Sequence, residues 1–221
     1  MLFEEVIGHQ NIKGRLIHSV QKNKISHAQL FVGDAGCGSL ALSIAFAQYV
    51  LCLDKKENDS CGICSSCLKI NDLQHPDLHF SFPTVQTIST TSDPILVNWR
   101  EQVKKSPYFS LFNWIQHIDV KERNPIISVH ESKEIHRKLS LKSYEGGHKV
   151  MVIWMADQMN AECSNKILKI LEEPPEKTLL ILVSQDTEHL LDTIKSRCQL
   201  VHINRIGNEA MQLHLKNKFG L

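Results

Sequence analysis

Two continuous apolar runs separated by one helix pattern constrain the fold of this chain most strongly. The runs are residues 150–155 and 179–183, and each is typical of a strand that is buried on both faces. Between them, residues 160–173 carry apolar side chains at helical spacing, with Asn160 as the predicted N-cap and Pro174 after the last turn. A strand, a helix and a second strand in this order predict a parallel pair joined by a crossover helix.

The same alternation extends over most of the chain. Three further short runs have strand character: residues 29–32, 78–82 and 200–203. Helical patterns are predicted at residues 39–51, around 131–140 and from 208 onward, while 186–195 is helical or turn-like and 83–105 is a loop with some helix. Strands that alternate with helices predict an α/β fold with a five-stranded parallel sheet, covered by helices on both faces.

A glycine-rich turn joins the first predicted strand to its helix. Gly33, Gly36 and Gly38 place backbone N–H groups and a helix N-terminus where they can bind an anion. A phosphate-binding loop also needs Lys and then Ser or Thr after the last glycine, whereas Ser39 and Leu40 follow here. The turn is either a plain β–α connection or a degenerate phosphate loop, and the sequence leaves both open. The candidate nucleotide contacts are Gly33, Gly36, Gly38 and Ser39.

The end of the run at 150–155 lacks the acidic residues that a nucleotide-hydrolysing site would place there. An Asp-Glu pair would bind Mg²⁺ and polarise water, but Trp154 and Met155 occupy these positions. Asp157 follows the strand and is interpreted as a turn or helix-start residue. Since Lys and the metal ion supply most of the charge that stabilises phosphoryl transfer, two independent losses predict a chain that does not hydrolyse ATP.

Four of the seven cysteines have the spacing of metal ligands. In the pattern Cys52-x8-Cys61-x2-Cys64-x2-Cys67, four thiolates can surround one tetrahedral Zn²⁺ ion. A closed set of four ligands leaves no open position for catalysis, so we predict a structural zinc site; incidental cysteines or a disulfide pair are the alternative. The remaining cysteines are predicted to be buried thiols: Cys37, Cys163 and Cys198.

The charge balance limits the kinds of partner. The chain of 221 residues has a formal net charge of +1, so contact with nucleic acid would need a local basic patch or partner proteins. No stretch approaches the roughly 18 apolar residues that span a bilayer, and the acidic N-terminus has no signal-peptide pattern. We therefore expect a cytoplasmic protein without a membrane contact, whose cysteines are thiols or metal ligands.

Five segments together resemble one protein family. They are Phe3–Gln10, Ser26–Phe31, His75-Pro76-Asp77 after the cysteines, Asn165–Pro175 and Thr193–Gln199. From about Leu2 to Ile206, the chain is similar to the AAA+ subunits of the bacterial DNA polymerase III clamp loader. The resemblance implies an AAA+ P-loop-type fold with an inserted zinc module.

Two groups within this family fit the pattern. The gamma/tau motor subunits keep the Walker A lysine and an acidic Walker B pair, whereas the delta-prime subunits commonly have a degenerate nucleotide site. Ser39, Leu40, Trp154 and Met155 make this chain similar to the delta-prime group. The resemblance therefore implies a subunit that binds structural Zn²⁺ and does not hydrolyse ATP, while its neighbours bind ATP.

The resemblance also implies a role for Arg197. In the family, the Ser-Arg-Cys motif, here Ser196–Cys198, supplies an arginine finger to the ATP site of a neighbouring motor subunit. Such an arginine can neutralise γ-phosphate charge across an interface, whereas the tripeptide alone is more typical of a surface ion pair. Ser184 matches the family's sensor position, and Lys166 and Lys169 either contact DNA phosphates or lie on a solvated helix face.

The implied partners are the gamma/tau and delta clamp-loader subunits and, through the complex, the sliding clamp and primer–template DNA. Residues 1–206 are expected to form the AAA+ core, with the zinc-binding insertion at about 52–67. Residues 207–221 are expected to begin a helical lid domain, with the remaining lid and the collar domain outside this chain. Two other functions stay open: an active ATPase of the gamma/tau type and a zinc-dependent DNA-binding module.

Overall fold

A five-stranded parallel sheet forms the centre of the computed structural model, which describes residues 1–118 and 124–220. The strands are β1 Ala28–Val32, β2 Leu78–Ser81, β3 Lys149–Trp154, β4 Thr178–Ser184 and β5 Gln199–His202. Their order is β2-β3-β4-β1-β5, and each neighbouring pair is parallel. The predicted parallel sheet is confirmed, with β2 and β5 as its two edges.

Nine α-helices lie within the described residues. They are α1 Gln10–Gln21, α2 Ser39–Leu51, α3 Ser65–Asn71, α4 Leu96–Lys105, α5 Leu111–His117, α6 Val129–Ser140, α7 Ala161–Glu172, α8 Asp192–Lys195 and α9 Asn208–Phe219. The predicted N-cap of α7 is confirmed, because the side chain of Asn160 accepts a hydrogen bond from the N–H of Cys163 at 2.8 Å. The crossover helix therefore begins where the sequence predicts.

Two predicted elements are shorter in the structure, and hydrogen bonds explain both differences. Strand β2 ends at Ser81 because the N–H of Phe82 donates to Ser92 Oγ at 3.0 Å instead of continuing the ladder. In the segment 186–195, only α8 is helical. The Asp186 carboxylate accepts a hydrogen bond from the N–H of Glu188 at 2.7 Å, which makes a local turn in place of a helix start.

Both faces of the sheet are buried, as the apolar runs predict. Every residue of α2 is buried against one face, together with β3 side chains such as Val152. The next residue of the same strand, Ile153, packs on the opposite face against side chains of α6 and α7 such as Ile135 and Ile167. Because successive side chains of a strand point to opposite faces and both faces are covered, β3 is apolar from Val150 to Trp154.

Candidate functional site

The glycine-rich loop connects β1 to α2 at the carboxyl edge of the sheet. Gly36 and Gly38 have φ angles of 78° and 92°, a backbone region that favours glycine. Helix α2 begins at Ser39, with Gly38 as its N-cap residue. The predicted strand–loop–helix arrangement is confirmed, while nucleotide contacts by the loop residues stay a prediction.

Gly33, the first glycine of the loop, lies in close contact with neighbouring residues. A Cβ atom on Gly33 would lie 2.4 Å from the carbonyl oxygen of Ile203 and 2.6 Å from Cys37 Sγ, so this position admits only glycine without a shift of the backbone. Cys37 is buried, and burial raises the pKa of its thiol. This cysteine is therefore part of the packing beneath the loop, as predicted for a buried thiol.

An aromatic side chain covers the start of α2. A Cβ atom on Gly38 would lie 2.8 Å from Cε1 of Tyr108, whose ring is packed against the loop. The hydroxyl of Tyr108 accepts a hydrogen bond from the N–H of Ile7 at 2.9 Å. His9 Nε2 is hydrogen-bonded to the carbonyl oxygen of Cys37 at 2.7 Å. The N-terminal segment and Tyr108 thus hold the loop in place.

Replacing Gly38 with alanine is expected to lower the free energy of unfolding by about 2–4 kcal/mol, because the residue would be strained at positive φ and would overlap Tyr108. Denaturant unfolding measures the change. Gly36→Ala has a positive φ but no neighbour within 4 Å, so we expect a smaller loss there. Gly14→Ala, within α1 and with open space, should be neutral or stabilising. An equal loss for Gly36 and Gly38 would contradict the role of the tyrosine ring.

A cleft of about 690 Å³ opens beside this loop, between the N-terminal segment, α4 and α9. Its walls include Ile7, Tyr108, Met211 and His214. Of the four candidate nucleotide contacts, only Gly36 lines the cleft. The other three face packed protein, and Ser39 is buried.

The position expected for an acidic pair belongs to the hydrophobic core. Trp154, at the end of β3, is 2% exposed and packs against Phe109 and Trp99 at centroid distances of 4.9 and 5.1 Å. Met155 is also buried. Neither side chain offers an oxygen ligand for Mg²⁺. Trp154 and Met155 therefore belong to the aromatic and apolar core at the end of β3.

Asp157 lies just beyond β3, in the 3-10 turn Ala156–Gln158, as predicted for a turn residue. Its carboxylate accepts hydrogen bonds from Ser184 Oγ at 2.8 Å and from the N–H of Gln185 at 3.2 Å. Ser184, at the predicted sensor position, thus links the ends of β3 and β4. This contact gives Ser184 a structural role at the end of its strand.

The four clustered cysteines come together around one point. Cys52 follows α2, Cys61 and Cys64 precede α3, and Cys67 lies within it; all four sulfur atoms lie within 4.8 Å of one another. The Sγ–Sγ distances are 3.7 Å for Cys52–Cys61 and 3.9 Å for Cys61–Cys67. A tetrahedral zinc site with Zn–S bonds of about 2.3 Å puts its sulfur atoms roughly 3.8 Å apart. The donor set and spacing fit a zinc ion, and all four cysteines are free thiols.

Backbone N–H groups surround the sulfur cluster. The N–H groups of Cys61, Cys64 and Cys67 point at the sulfur atoms of Cys52, Cys61 and Cys64, at 3.3, 3.3 and 3.4 Å. Burial alone would raise the pKa of Cys64, but N–H donors, including that of Cys67, lower it to about 6. Burial raises the pKa of Cys52 and of Cys67. A bound cation would compensate for buried thiolates at these two positions.

We call the segment with the four clustered cysteines, at about residues 52–67, the cysteine module. It is connected to the rest of the fold through Asp77. This buried carboxylate accepts hydrogen bonds from the N–H groups of Tyr144 and Glu145 at 2.7 and 3.0 Å. Glu145 in turn forms an ion pair with Lys69 of α3 at 2.6 Å and a hydrogen bond with Nε2 of His75 at 3.2 Å. The His-Pro-Asp segment therefore connects the turn before β3 with the helix that carries Cys67.

Two of the three remaining cysteines fit the prediction. Cys37 and Cys163 are buried, whereas Cys198 is only partly buried, so the prediction was wrong in degree for this residue. Cys198 directly precedes β5, whose residues Gln199 and Leu200 are exposed at the sheet edge. Partial burial still raises its pKa to about 11.

Arg197 lies between α8 and the edge strand β5. Its Nη2 atom is 2.6 Å from Glu172 Oε1 at the end of α7, and its Nη1 donates to the carbonyl oxygen of Thr193 at 2.9 Å. The side chains of Arg197 and Glu172 are 35% and 49% exposed. The described chain thus holds Arg197 in a surface ion pair. Such pairs contribute only about 0–1 kcal/mol, so another anion can replace the carboxylate.

The two lysines proposed for DNA contacts lie on α7. Lys166 and Lys169 are exposed, and neither forms a salt bridge in residues 1–118 or 124–220. Their contact with DNA stays a prediction. Within the same residues, no helix is long and apolar enough to cross a bilayer.

Comparisons with known proteins agree with this architecture. A family model described as "DNA polymerase III, delta subunit" matches residues 8–207. The delta′ subunit of DNA polymerase III from Bacillus subtilis is 30% identical over 197 residues, covering 89% of this chain and 48% of the relative. The delta′ subunit from Escherichia coli is 28% identical over 189 residues, covering 86% and 46%.

A tau subunit and a solved structure are similar to this chain at lower sequence identity. The tau subunit of Bacillus subtilis is 27% identical over 209 residues, covering 95% of this chain and 30% of that subunit. A crystal structure of a gamma-subunit-related protein from Thermotoga maritima superposes with a TM-score of 0.56 at 18% identity, covering 94% and 50%. That likeness supports the predicted fold, a parallel sheet covered by helices on both faces.

The chain spans about half the length of the delta′ relatives it matches. Within that half, the family model covers residues 8–207 of 221, including every strand of the sheet. The chain therefore belongs to the delta′ family of DNA polymerase III clamp-loader subunits.

Proposed function

We propose that this chain is a clamp-loader subunit that does not hydrolyse ATP and that supplies Arg197 to the ATP site of a neighbouring subunit. The observation that carries the first part is the packing of Trp154 and Met155 into the core. An oxygen ligand at either position would need a buried carboxylate among aromatic rings, which burial strongly disfavours. In this proposal the chain keeps the fold of a nucleotide hydrolase and lacks the acidic pair that would hold its metal ion.

The state of the glycine-rich loop supports the same proposal. Ser39 and Leu40 supply no cation for a phosphate, and Tyr108 packs against Gly38. A phosphate on this loop would contact backbone N–H groups but no lysine from the loop itself. We infer that any nucleotide or anion held here is bound weakly and is not hydrolysed.

The position of Arg197 supports the second part. A guanidinium has five N–H donors in a planar fork and keeps its charge, which suits it to phosphate oxygens. The Arg197 side chain is partly exposed beside the edge strand, where a neighbouring subunit can approach. A γ-phosphate carries more negative charge than the Glu172 carboxylate, so it can replace Glu172 as the partner of the guanidinium.

Membership of the delta′ family supports a proposal for the wider assembly. We propose gamma/tau and delta subunits as direct partners, with the sliding clamp and primer–template DNA bound through the complex in the cytoplasm. The four-cysteine module would hold structural Zn²⁺. We further propose that residues 1–206 form the AAA+ core and that α9 begins the helical lid at 207–221; of this segment, Leu221 lies outside the described residues.

The purified chain is expected to release no phosphate from Mg²⁺–ATP above background, because it lacks both the loop lysine and the acidic pair. A phosphate-release assay, with calorimetry for ATP binding, measures both properties on the same sample. Turnover that follows the protein through purification would instead favour an active ATPase of the gamma/tau type. Salt-sensitive DNA binding by the chain alone, lost on zinc removal, would favour a zinc-dependent DNA-binding module.

A further inference from the structure

A second cavity, of about 390 Å³, lies between α1 and the edge strand β5. It shares no lining residue with the cleft beside the glycine-rich loop. Its rim carries the cationic side chains of Arg15, Lys22 and Lys24, together with His18. No Asp or Glu lines it. The cavity is therefore positively charged, although the chain has a formal net charge of only +1.

The cations at this rim have no acidic partner, unlike several other cations on the surface. Several surface cations form ion pairs at 2.6–2.8 Å: Lys69 with Glu145, Lys104 with Asp72, Lys195 with Asp192, Arg197 with Glu172 and Arg205 with Asp34. Among the described residues, Arg15, Lys22 and Lys24 have neither an ion pair nor a side-chain hydrogen bond. Their charges are left available for an external anion.

The rest of the cavity lining is uncharged, with one buried polar side chain and an apolar wall. Gln29 of β1 is 1% exposed, and its Oε1 atom has no hydrogen-bond partner in the part of the chain that the structure describes. A buried acceptor without a partner costs free energy, and a ligand with an O–H or N–H group would supply the missing donor. Ile12, Leu16 and Val201 provide an apolar wall. The cavity thus combines an anion site, an apolar wall and one unpaired acceptor.

We propose that this cavity binds a nucleotide unit, with its phosphate held by the three cations. The sugar and base would pack against the apolar wall and direct a hydroxyl or amino group toward Gln29. The volume is within the range of about 300–1,000 Å³ that is usual for small-ligand sites. A free mononucleotide and one residue of a nucleic-acid strand present the same chemistry. This site is separate from Arg197 and from the glycine-rich loop.

The test uses the whole chain with three probes: AMP, a short oligodeoxyadenylate and inorganic phosphate. The side-chain amide resonance of Gln29 reports binding at the cavity, and titrations give the affinities. Replacing the three rim cations together, Arg15→Ala, Lys22→Ala and Lys24→Ala, is expected to weaken binding of the nucleotide probe by about tenfold or more. These side chains are exposed, so the fold should be kept.

A matched control removes the same charge elsewhere. Lys133→Ala, Lys142→Ala and Lys216→Ala are exposed positions outside the cavity, and together they should change the affinity by less than about twofold. A Gln29 shift with AMP identifies the free nucleotide as the ligand, and a shift with the oligonucleotide alone identifies a strand; either result supports the proposal. Equal weakening in both triple variants, phosphate binding as tightly as AMP, or no Gln29 shift with any probe would overturn it.

Discussion

Replacing Arg197 with alanine is expected to lower the clamp- and DNA-stimulated ATPase rate of a reconstituted clamp loader by a factor of about 10³ or more. The guanidinium would meet the γ-phosphate across the subunit interface, where charge develops in the transition state and water is partly excluded. Steady-state phosphate release by the complex of this chain with gamma/tau and delta subunits measures the effect. The isolated chain should keep its stability, because the pair with Glu172 is largely exposed.

Two control variants separate the finger from the ion pair seen in the structure. Lys195→Ala removes a nearby cation that pairs with Asp192, and it should leave the ATPase rate nearly unchanged. Glu172→Gln breaks the ion pair of Arg197 but keeps the guanidinium, so the stimulated rate should stay within a few-fold of the wild type. Arg197→Ala and Glu172→Gln therefore have very different expected outcomes.

A purely structural role for Arg197 predicts a different result in the same assay. If Arg197 serves only to hold the end of α7, then Glu172→Gln and Arg197→Ala should be equally mild in the ATPase assay. The same result would follow if the arginine never met a nucleotide. Gel filtration of each reconstituted complex shows whether a lost rate comes from failed assembly, in which case Arg197 contributes to the interface rather than to catalysis.

The sheet could be predicted from the sequence because its three central strands, β1, β3 and β4, are apolar at most positions. Short apolar runs such as 150–155 and 179–183 are typical of strands buried on both faces, and both are central strands in the structure. The first helix was missed although Leu16, Ile17 and Val20 have helical spacing and are buried. Helix α4 lies in a segment predicted mainly as loop; its buried Trp99 packs against aromatic residues from distant segments. Such tertiary contacts leave no periodic pattern in one sequence.

Only part of the candidate site could be predicted from the sequence, as for the fold. Local spacing predicted the cysteine cluster, since all four cysteines come from one short segment. The contact between Tyr108, Gly38 and Ile7 could not be predicted, because it joins three segments that are far apart in the chain. The ion pair of Arg197 with Glu172 is similar, because two separate motifs meet only in the folded protein.

Removing one ligand of the cysteine module is expected to have the second large effect. In Cys67→Ser, the zinc content should fall from about one ion per chain to near zero, and the module around α3 should lose its fixed structure. Cys67 is 0% exposed and lies beside Cys61, so the three remaining thiols would be left as a partly buried, incomplete ligand set. Binding of structural zinc contributes about 10–16 kcal/mol of folding free energy in small peptides, which far exceeds the stabilisation from one buried thiol.

Elemental analysis and thermal unfolding of the same reduced preparations test this expectation. Cys198→Ser, a partly buried cysteine outside the cluster, should keep its zinc and unfold close to the wild-type temperature. Because Lys69 and His75 connect α3 to Glu145, loss of the module should also loosen the turn before β3, which hydrogen exchange at Tyr144 and Glu145 would detect. A wild-type chain without zinc, or a Cys67→Ser chain that still binds one ion, would show that these four thiols are not a zinc site.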